Sequence, residues 1–214
     1  TTDNKLVQIM KCDLNIANCI IDTVHANKIT DLIVGIHHKA NIVDTFLGGM
    51  ITSLINGTSN QNLIIYGPKK PINSVKRLVV AVPQMAELEV GFDVWFDRIK
   101  NIASQLSIPV VFYANKNTTI ALKKQCEIHS SLNVSFRELA SWEDFLIISK
   151  HIKHGDTLIV ITARKATLSY NNLFEKIPYY LNKYFADHNF LLIYPRQTAP
   201  DGTDNDIYNP LKIS

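Results

Sequence analysis

Residues 31–49, DLIVGIHHKANIVDTFLGG, decide the fold class of this 214-residue chain. The apolar run 31–36 has the length and the β-branched content of a buried strand. An amphipathic helix is predicted over 44–56, and a further apolar strand, NLIIYG, follows at 62–67. A strand, a loop, a helix and another strand in this order predict an α/β fold.

The same pattern recurs later in the chain. Three segments reappear in the same order, at offsets of 126, 126 and 128: 32–34 as 158–160, 39–40 as 165–166, and 65–68 as 193–195. Because the order is kept as well as the spacing, an internal duplication is predicted.

The second copy is predicted to be complete. Its strands are expected at 77–82, 108–114, 132–139, 156–163 and 190–195. Its helices are expected at 88–106, at 117–127, after a cap at Ser141, and at 173–185. Alternating strands and helices of these lengths predict a mainly parallel sheet flanked by helices on both faces.

The first copy holds only the last part of that pattern. A strand is predicted at 5–12, and Asn15 is expected to cap a helix before the strand at 31–36. Counting back from Arg77 by the repeat offset places the opening strand of the first copy before Thr1, so about fifty residues are expected to be missing.

The predicted domain bounds follow from the repeat. An incomplete first unit covers 1–67, a linker with two prolines covers 68–76, a complete second unit covers 77–195, and a tail covers 196–214. The closing strands 62–67 and 190–195 are both short and apolar, so an unpaired edge on either of them would be costly. The incomplete first sheet also predicts homodimerisation, because an unpaired strand edge favours completion by a second chain.

Composition excludes several function classes. The net charge is only +3, and no Lys/Arg run with interleaved aromatics is present, so no nucleic-acid partner is expected. The apolar runs are far shorter than the roughly 20 residues of a membrane span, so this fragment is not expected to insert directly into a membrane. Neither a nucleophile elbow nor a phosphate-loop lysine motif occurs, so no catalytic residues and no enzyme activity are predicted.

The glycines of the opening stretch are similar to a known pattern. In the nucleotide-binding branch of the universal stress protein family, a glycine is followed after two residues by another, and after nine more by Gly-Ser or Gly-Thr. Gly35 takes the first place, His38 the second, and Gly48-Gly49 the last two. The resemblance implies a stress-protein-like fold of the HUP/Rossmann-like kind, in two tandem units with the first incomplete. It also implies that the closing strands 62–67 and 190–195 pair with each other across a two-fold axis.

The resemblance also implies a ligand site. The candidate residues for a nucleotide or an anion are Gly35, His37, His38, Lys39, Asn41, Gly48 and Gly49. No cofactor is assigned with certainty, and ATP or AMP is the nucleotide that the family implies. His38 places a side chain where the family has glycine, so a plain structural turn is the competing interpretation, and a pH-sensing histidine pair is a third.

Two neighbouring features bear on this site. The glycine pair 48–49 predicts close approach by a ligand phosphate or by a tightly packed helix. Adjacent histidines without a nearby cysteine or a spaced carboxylate are a weak metal pattern, and no metal site is predicted.

A second site is not expected in the second unit. Ile161 replaces the first glycine there, and Arg164-Lys165 is predicted to be a solvated turn. Pro83 and Gln84 stand where the family usually carries an aspartate.

A closer resemblance extends over nearly the whole chain. The segments 13–20, 29–49, 76–83, 91–100 and 161–181 look like the cytoplasmic C-terminal region of bacterial sodium/proton antiporters of the monovalent cation/proton antiporter family. This resemblance implies a non-catalytic regulatory or assembly domain on the cytoplasmic side of the inner membrane. It implies the membrane exchanger portion of a parent chain as partner, and it places ion transport in that portion. An ATP- or AMP-binding universal stress protein is the alternative.

Overall fold

A computed structural model describes residues 6–12, 14–36, 49–128 and 132–198. The strands are β1 (Asp31–Gly35), β2 (Asn62–Gly67), β3 (Arg77–Ala81), β4 (Val110–Ala114), β5 (Val134–Glu138), β6 (Asp156–Ile161) and β7 (Asn189–Tyr194). The α-helices are α1 (Ile16–Ala26), α2 (Gly49–Gly57), α3 (Phe92–Leu106), α4 (Lys116–Ile128), α5 (Ile147–His151) and α6 (Ile177–Tyr184). Short 3₁₀ turns lie at Ile72–Ser74, Ala86–Leu88, Trp142–Leu146 and Asn172–Lys176.

The strands form one seven-stranded sheet in the order β1-β2-β7-β6-β3-β4-β5. Every neighbouring pair is parallel except β2 and β7, which run antiparallel from Leu63 opposite Tyr194 to Gly67 opposite Phe190. The predicted α/β class and the predicted pairing of the two closing strands are both confirmed. The proposed domain bounds stay a prediction, since the two units share this continuous sheet.

Helices cover the two faces of the sheet unequally. One face packs against α1 and α2 of the first unit and α5 and α6 of the second, with Leu54, Phe145 and Leu181 buried at its centre. The other face packs against α3 and α4, whose Trp95, Phe96 and other apolar side chains are buried against the strands. Apolar side chains from both units contribute to each cluster, so burial on both faces holds the units together.

The duplication is visible in the helix caps. Asn15 caps α1 by accepting the Asn18 backbone N–H, and Ser141 caps the 3₁₀ turn before α5 by accepting the Glu143 backbone N–H. The two caps are separated by the predicted offset of 126. Strands β2 and β7 correspond at an offset of 127, not the 128 at which their sequences align. At that offset Ile65 corresponds to Leu192, its partner in the antiparallel pair, so a local two-fold axis passes between them.

The strand predicted at 5–12 is wrong over its described part, because residues 6–12 lie in no strand and expose Leu6 and Met10 almost fully. The repeat explains the failure. The corresponding segment of the second unit is β5, which is held in the sheet by β4. The described residues of the first unit contain no counterpart of β4, so an apolar segment with strand propensity has no hydrogen-bonding neighbour.

The first unit is also open on one face. Ile33 of β1 is 65% exposed, on the face that α3 and α4 cover in the second unit. Helix α3 reaches the first unit through Arg98, whose Nε and Nη2 donate to the Asp31 carboxylate at 2.9 and 2.7 Å. Burial alone would raise the pKa of Asp31, but hydrogen bonds from Arg98 and Asn62 hold it below its ordinary value.

Candidate functional site

Two of the predicted ligand-site residues, Gly35 and Gly49, lie among the described residues. Gly35 closes β1, and Gly49 opens α2. The other candidates, His37, His38, Lys39, Asn41 and Gly48, lie outside the described residues, so their part in a site stays a prediction.

The described part of the fold does not require glycine at either of the two described positions. Among the described residues, no atom lies within 4 Å of a Cβ added to Gly35 or to Gly49, and neither glycine has a positive φ. The close approach predicted for the glycine pair 48–49, by a ligand phosphate or by a tightly packed helix, stays a prediction.

The equivalent loop of the second unit departs from its prediction as a solvated turn. Arg164 is only 6% exposed, and its guanidinium donates to backbone carbonyls rather than to water. Nε donates to Ile55 O at 2.9 Å, Nη2 donates to Thr58 O at 2.7 Å, and further bonds reach the carbonyls of Gln61, Tyr194 and Pro195. Lys165 is 77% exposed and pairs with Glu175, as expected of a surface residue.

Arg164 joins the two units. Ile55 and Thr58 lie at the carboxyl end of α2 in the first unit, where unpaired carbonyls carry the negative pole of the helix. Burial lowers the pKa of Arg164 to about 10, so the guanidinium keeps its charge at neutral pH. A buried cation without a carboxylate partner is tolerated here because five carbonyl oxygens accept from it.

A carboxylate from another loop of the protein binds the loop that follows β6. Glu89 accepts from the backbone N–H of Ser169 at 2.8 Å and from its hydroxyl at 2.9 Å. An exposed backbone N–H in such a loop is the kind of donor that a bound anion uses. The cavity between Glu89, Thr167 and Arg196 measures only about 10 Å³. The backbone N–H and the hydroxyl of Ser169 therefore already have an acceptor within the protein.

A larger cavity lies between the units. It measures about 430 Å³ and is lined on one side by Thr52, Ile55 and Asn56 of the first unit. The second unit supplies mainly aromatic side chains, among them Tyr170, Phe174, Tyr179 and Tyr194. Burial raises the pKa of Tyr194 to about 12, so its phenol stays neutral at physiological pH. The volume and the mixed lining are those of a site for a small molecule.

Two asparagines make hydrogen bonds across the antiparallel contact between β2 and β7, which is called here the joint between the units. Asn62 begins β2 and accepts the backbone N–H of Arg196, just after β7, at 3.1 Å. Asn189 begins β7 and accepts the backbone N–H groups of Lys69 and Lys70, just after β2, at 2.6 and 2.8 Å.

The two ties are equivalent by the repeat, since Asn62 and Asn189, like Lys69 and Arg196, are 127 residues apart. Sequence analysis missed them, although both closing strands begin with asparagine.

Two kinds of functional feature are absent from the part of the chain that the structure describes. No three His, Cys, Asp or Glu side chains there are grouped so that they could hold a metal ion. Among the same residues, no helix has the length and apolar character that crossing a membrane requires.

Comparisons with known proteins point to the fold. No protein-family model matches the chain. No curated protein matches it either. Among solved structures, the crystal structure of the cytoplasmic domain of a prokaryotic cation chloride cotransporter is similar, with a TM-score of 0.55. The match covers 83% of this chain and 70% of that chain at 10% sequence identity, so it establishes a shared fold.

Proposed function

We propose that this chain is a regulatory or assembly domain on the cytoplasmic side of a cation transporter, with no catalytic activity of its own. The observation that carries the proposal is the likeness of its fold, over 83% of its length, to a cytoplasmic domain of a cation chloride cotransporter. The sequence resemblance to antiporter C-terminal regions agrees with a domain of this class.

The joint between the units suggests how such a domain would act. The units share one sheet, and Arg164, Asn62 and Asn189 link them. A ligand or partner that contacts both units favours whichever arrangement it binds more tightly, and the transporter would respond to that arrangement. The 430 Å³ cavity lies at this joint and is the place for such a ligand.

More specifically, we propose that the parent protein of this domain is a sodium/proton antiporter. Its membrane exchanger portion would be the direct partner of this domain, and the open edge of β1 would support homodimerisation. The structurally similar domain belongs to a cation chloride cotransporter, which is a different class of transporter. The ions that the parent protein transports therefore distinguish an antiporter from a cotransporter.

The test is flux through the parent transporter in proteoliposomes loaded with a pH dye. A sodium gradient without chloride should drive proton movement, and deletion of this domain should shift the sodium or pH dependence while exchange persists. Cation flux that requires chloride would contradict the antiporter assignment. Identical flux with and without the domain would contradict regulation.

The second candidate function is ATP or AMP binding at the loop between β1 and α2. It is supported by Gly35 and Gly49, where an added Cβ meets no described atom within 4 Å. Calorimetry with ATP and AMP should give heat in the wild-type chain and none in Gly49→Val, a change whose Cβ meets no described atom within 4 Å. If neither nucleotide gives heat, the loop between β1 and α2 is a structural turn and not a nucleotide site.

A further inference from the structure

Basic side chains gather at one end of the sheet. Strands β3, β6 and β7 begin at this end, and β1 and β2 finish there. The linker after β2 and the loop before β6 bring together five residues, called here the basic end: Lys69, Lys70, Lys76, Lys153 and His154. Lys76, Lys153 and His154 are exposed, and Lys69 and Lys70 are partly exposed.

The basic end is held in place by the fold. Buried Asn189 accepts from the backbone N–H groups of both Lys69 and Lys70, and its amide donates to Lys70 O at 3.1 Å. The backbone N–H of Lys76 donates to Gly155 O at 2.8 Å, which fixes the linker to the loop. The Lys70 ammonium contacts Nε2 of His154. The fold thus holds the side chains of the basic end close together at the protein surface.

The neighbouring carboxylates do not neutralise this cluster. Asp156 is buried and binds Arg77 through both carboxylate oxygens. Asp187 lines the same small cleft as Lys70 and is a single acid against four lysines. The basic end therefore carries a local excess of positive charge that the net charge of +3 does not reveal.

An exposed apolar side chain lies in the same linker as Lys69, Lys70 and Lys76. Ile72 begins the 3₁₀ turn Ile72–Ser74 in the linker and is 50% exposed. Lysines around an exposed aliphatic side chain suit an anionic lipid surface, where the charges meet headgroup phosphates and the apolar group leaves water. A nucleic-acid backbone matches the charges but offers nothing to the isoleucine.

We propose that the basic end docks the domain on an anionic phospholipid surface. The contact is peripheral: lysines meet headgroups, Ile72 enters the headgroup layer, and no segment spans the bilayer. The inference goes beyond the proposed function and does not depend on it, because it concerns this chain and a lipid surface alone.

The experiment measures binding of the full chain to vesicles of mixed phosphatidylglycerol and phosphatidylcholine, and to phosphatidylcholine vesicles. Binding is expected only to the anionic vesicles and should weaken as salt is added. The double change Lys70→Gln and Lys153→Gln should lower affinity roughly 20- to 30-fold, since each lysine near an anionic surface contributes about fivefold. Ile72→Ser should lower it by about fivefold on vesicles.

The matched control is Lys116→Gln with Lys165→Gln, which removes the same charge from exposed lysines at the opposite end of the sheet. It should leave affinity within about twofold of wild type. Equal losses in both double variants, or no binding to anionic vesicles at low salt, would overturn the proposal. So would duplex DNA that binds as tightly as the vesicles and responds to the same variants, including Ile72→Ser.

Discussion

The two units keep the same joint but differ in what surrounds it. Asn62 and Asn189 make equivalent bonds across β2 and β7, and Asn15 and Ser141 cap equivalent helices. In the second unit, the protein's own groups close the loop after β6. In the first unit, β1 is the last described strand at its side of the sheet, and a Cβ at Gly35 would meet no described atom within 4 Å. Among the described residues, the duplication is therefore seen most clearly in the contacts that hold the units together.

The largest expected effect comes from removing the guanidinium of Arg164, which joins the second unit to the first. Arg164→Met should lower the free energy of unfolding by about 3–5 kcal/mol, because five carbonyl oxygens lose the hydrogen bonds that the guanidinium donates. Urea denaturation followed by circular dichroism measures the change. Lys165→Met is the control and should change stability by less than about 0.5 kcal/mol, since its ion pair is exposed. A loss below about 1 kcal/mol for Arg164→Met would show that water replaces the guanidinium.

The equivalence of the two asparagines can be tested directly. Asn189→Ala and Asn62→Ala should each lower stability by about 1–3 kcal/mol, because each leaves backbone N–H groups near the joint without an acceptor. Thermal unfolding of both variants gives the two losses. Asn101→Ala, on the exposed side of α3, should stay within about 0.5 kcal/mol of wild type. A loss confined to one of the two asparagines would refute a symmetric joint.

The closed loop of the second unit predicts a smaller effect. Glu89→Gln keeps an oxygen acceptor for Ser169 but removes the charge that strengthens both bonds, so stability should fall by about 1 kcal/mol. Chemical denaturation at neutral pH measures it. Glu127→Gln changes an exposed carboxylate on α4 and serves as control. Equal stabilities of the two variants would mean that Glu89 does not hold the loop.

The smallest effect concerns the ion pair between Asp31 and Arg98. The pKa of Asp31 is lowered in the folded state, so the unfolded chain binds its proton more tightly. The stabilising contribution is therefore present above the unfolded pKa and disappears as pH falls below about 4. Because the pair is partly exposed, it is worth less than about 1 kcal/mol. Asp31→Asn should make the free energy of unfolding depend less on pH below about 4, as measured by urea denaturation at several pH values. An unchanged pH dependence would contradict the stabilising role of the ion pair between Asp31 and Arg98.

Local patterns predicted the elements whose partners lie in the same chain. The apolar runs at 62–67 and 190–195 were sufficient to predict both strands, and the resemblance to the stress-protein family implied that they pair with each other. The apolar segment 6–12 carries an equally local signal, yet it forms no strand. Hydrogen-bonding neighbours decide that outcome, and a pattern within one segment contains no information about them.

The candidate site was less predictable than the fold. Arg164 follows a strand in a polar stretch, and nothing in that stretch distinguishes a solvated arginine from a buried one. Its acceptors lie more than a hundred residues away at Ile55 and Thr58. The contact of Glu89 with Ser169 likewise joins distant loops.

By itself the sequence determined the α/β class and the internal repeat, and its family resemblance implied that the two closing strands pair with each other. Periodicity is a property of a single segment, and a repeat is found by comparing the sequence with itself, so both can be recognised without coordinates. Only the tertiary structure decided that Arg164 is buried, that Glu89 fills the second loop, and that lysines from two separate segments share one end of the sheet. Those properties depend on which distant groups come within hydrogen-bond or Coulomb range, and the folded chain alone sets those distances.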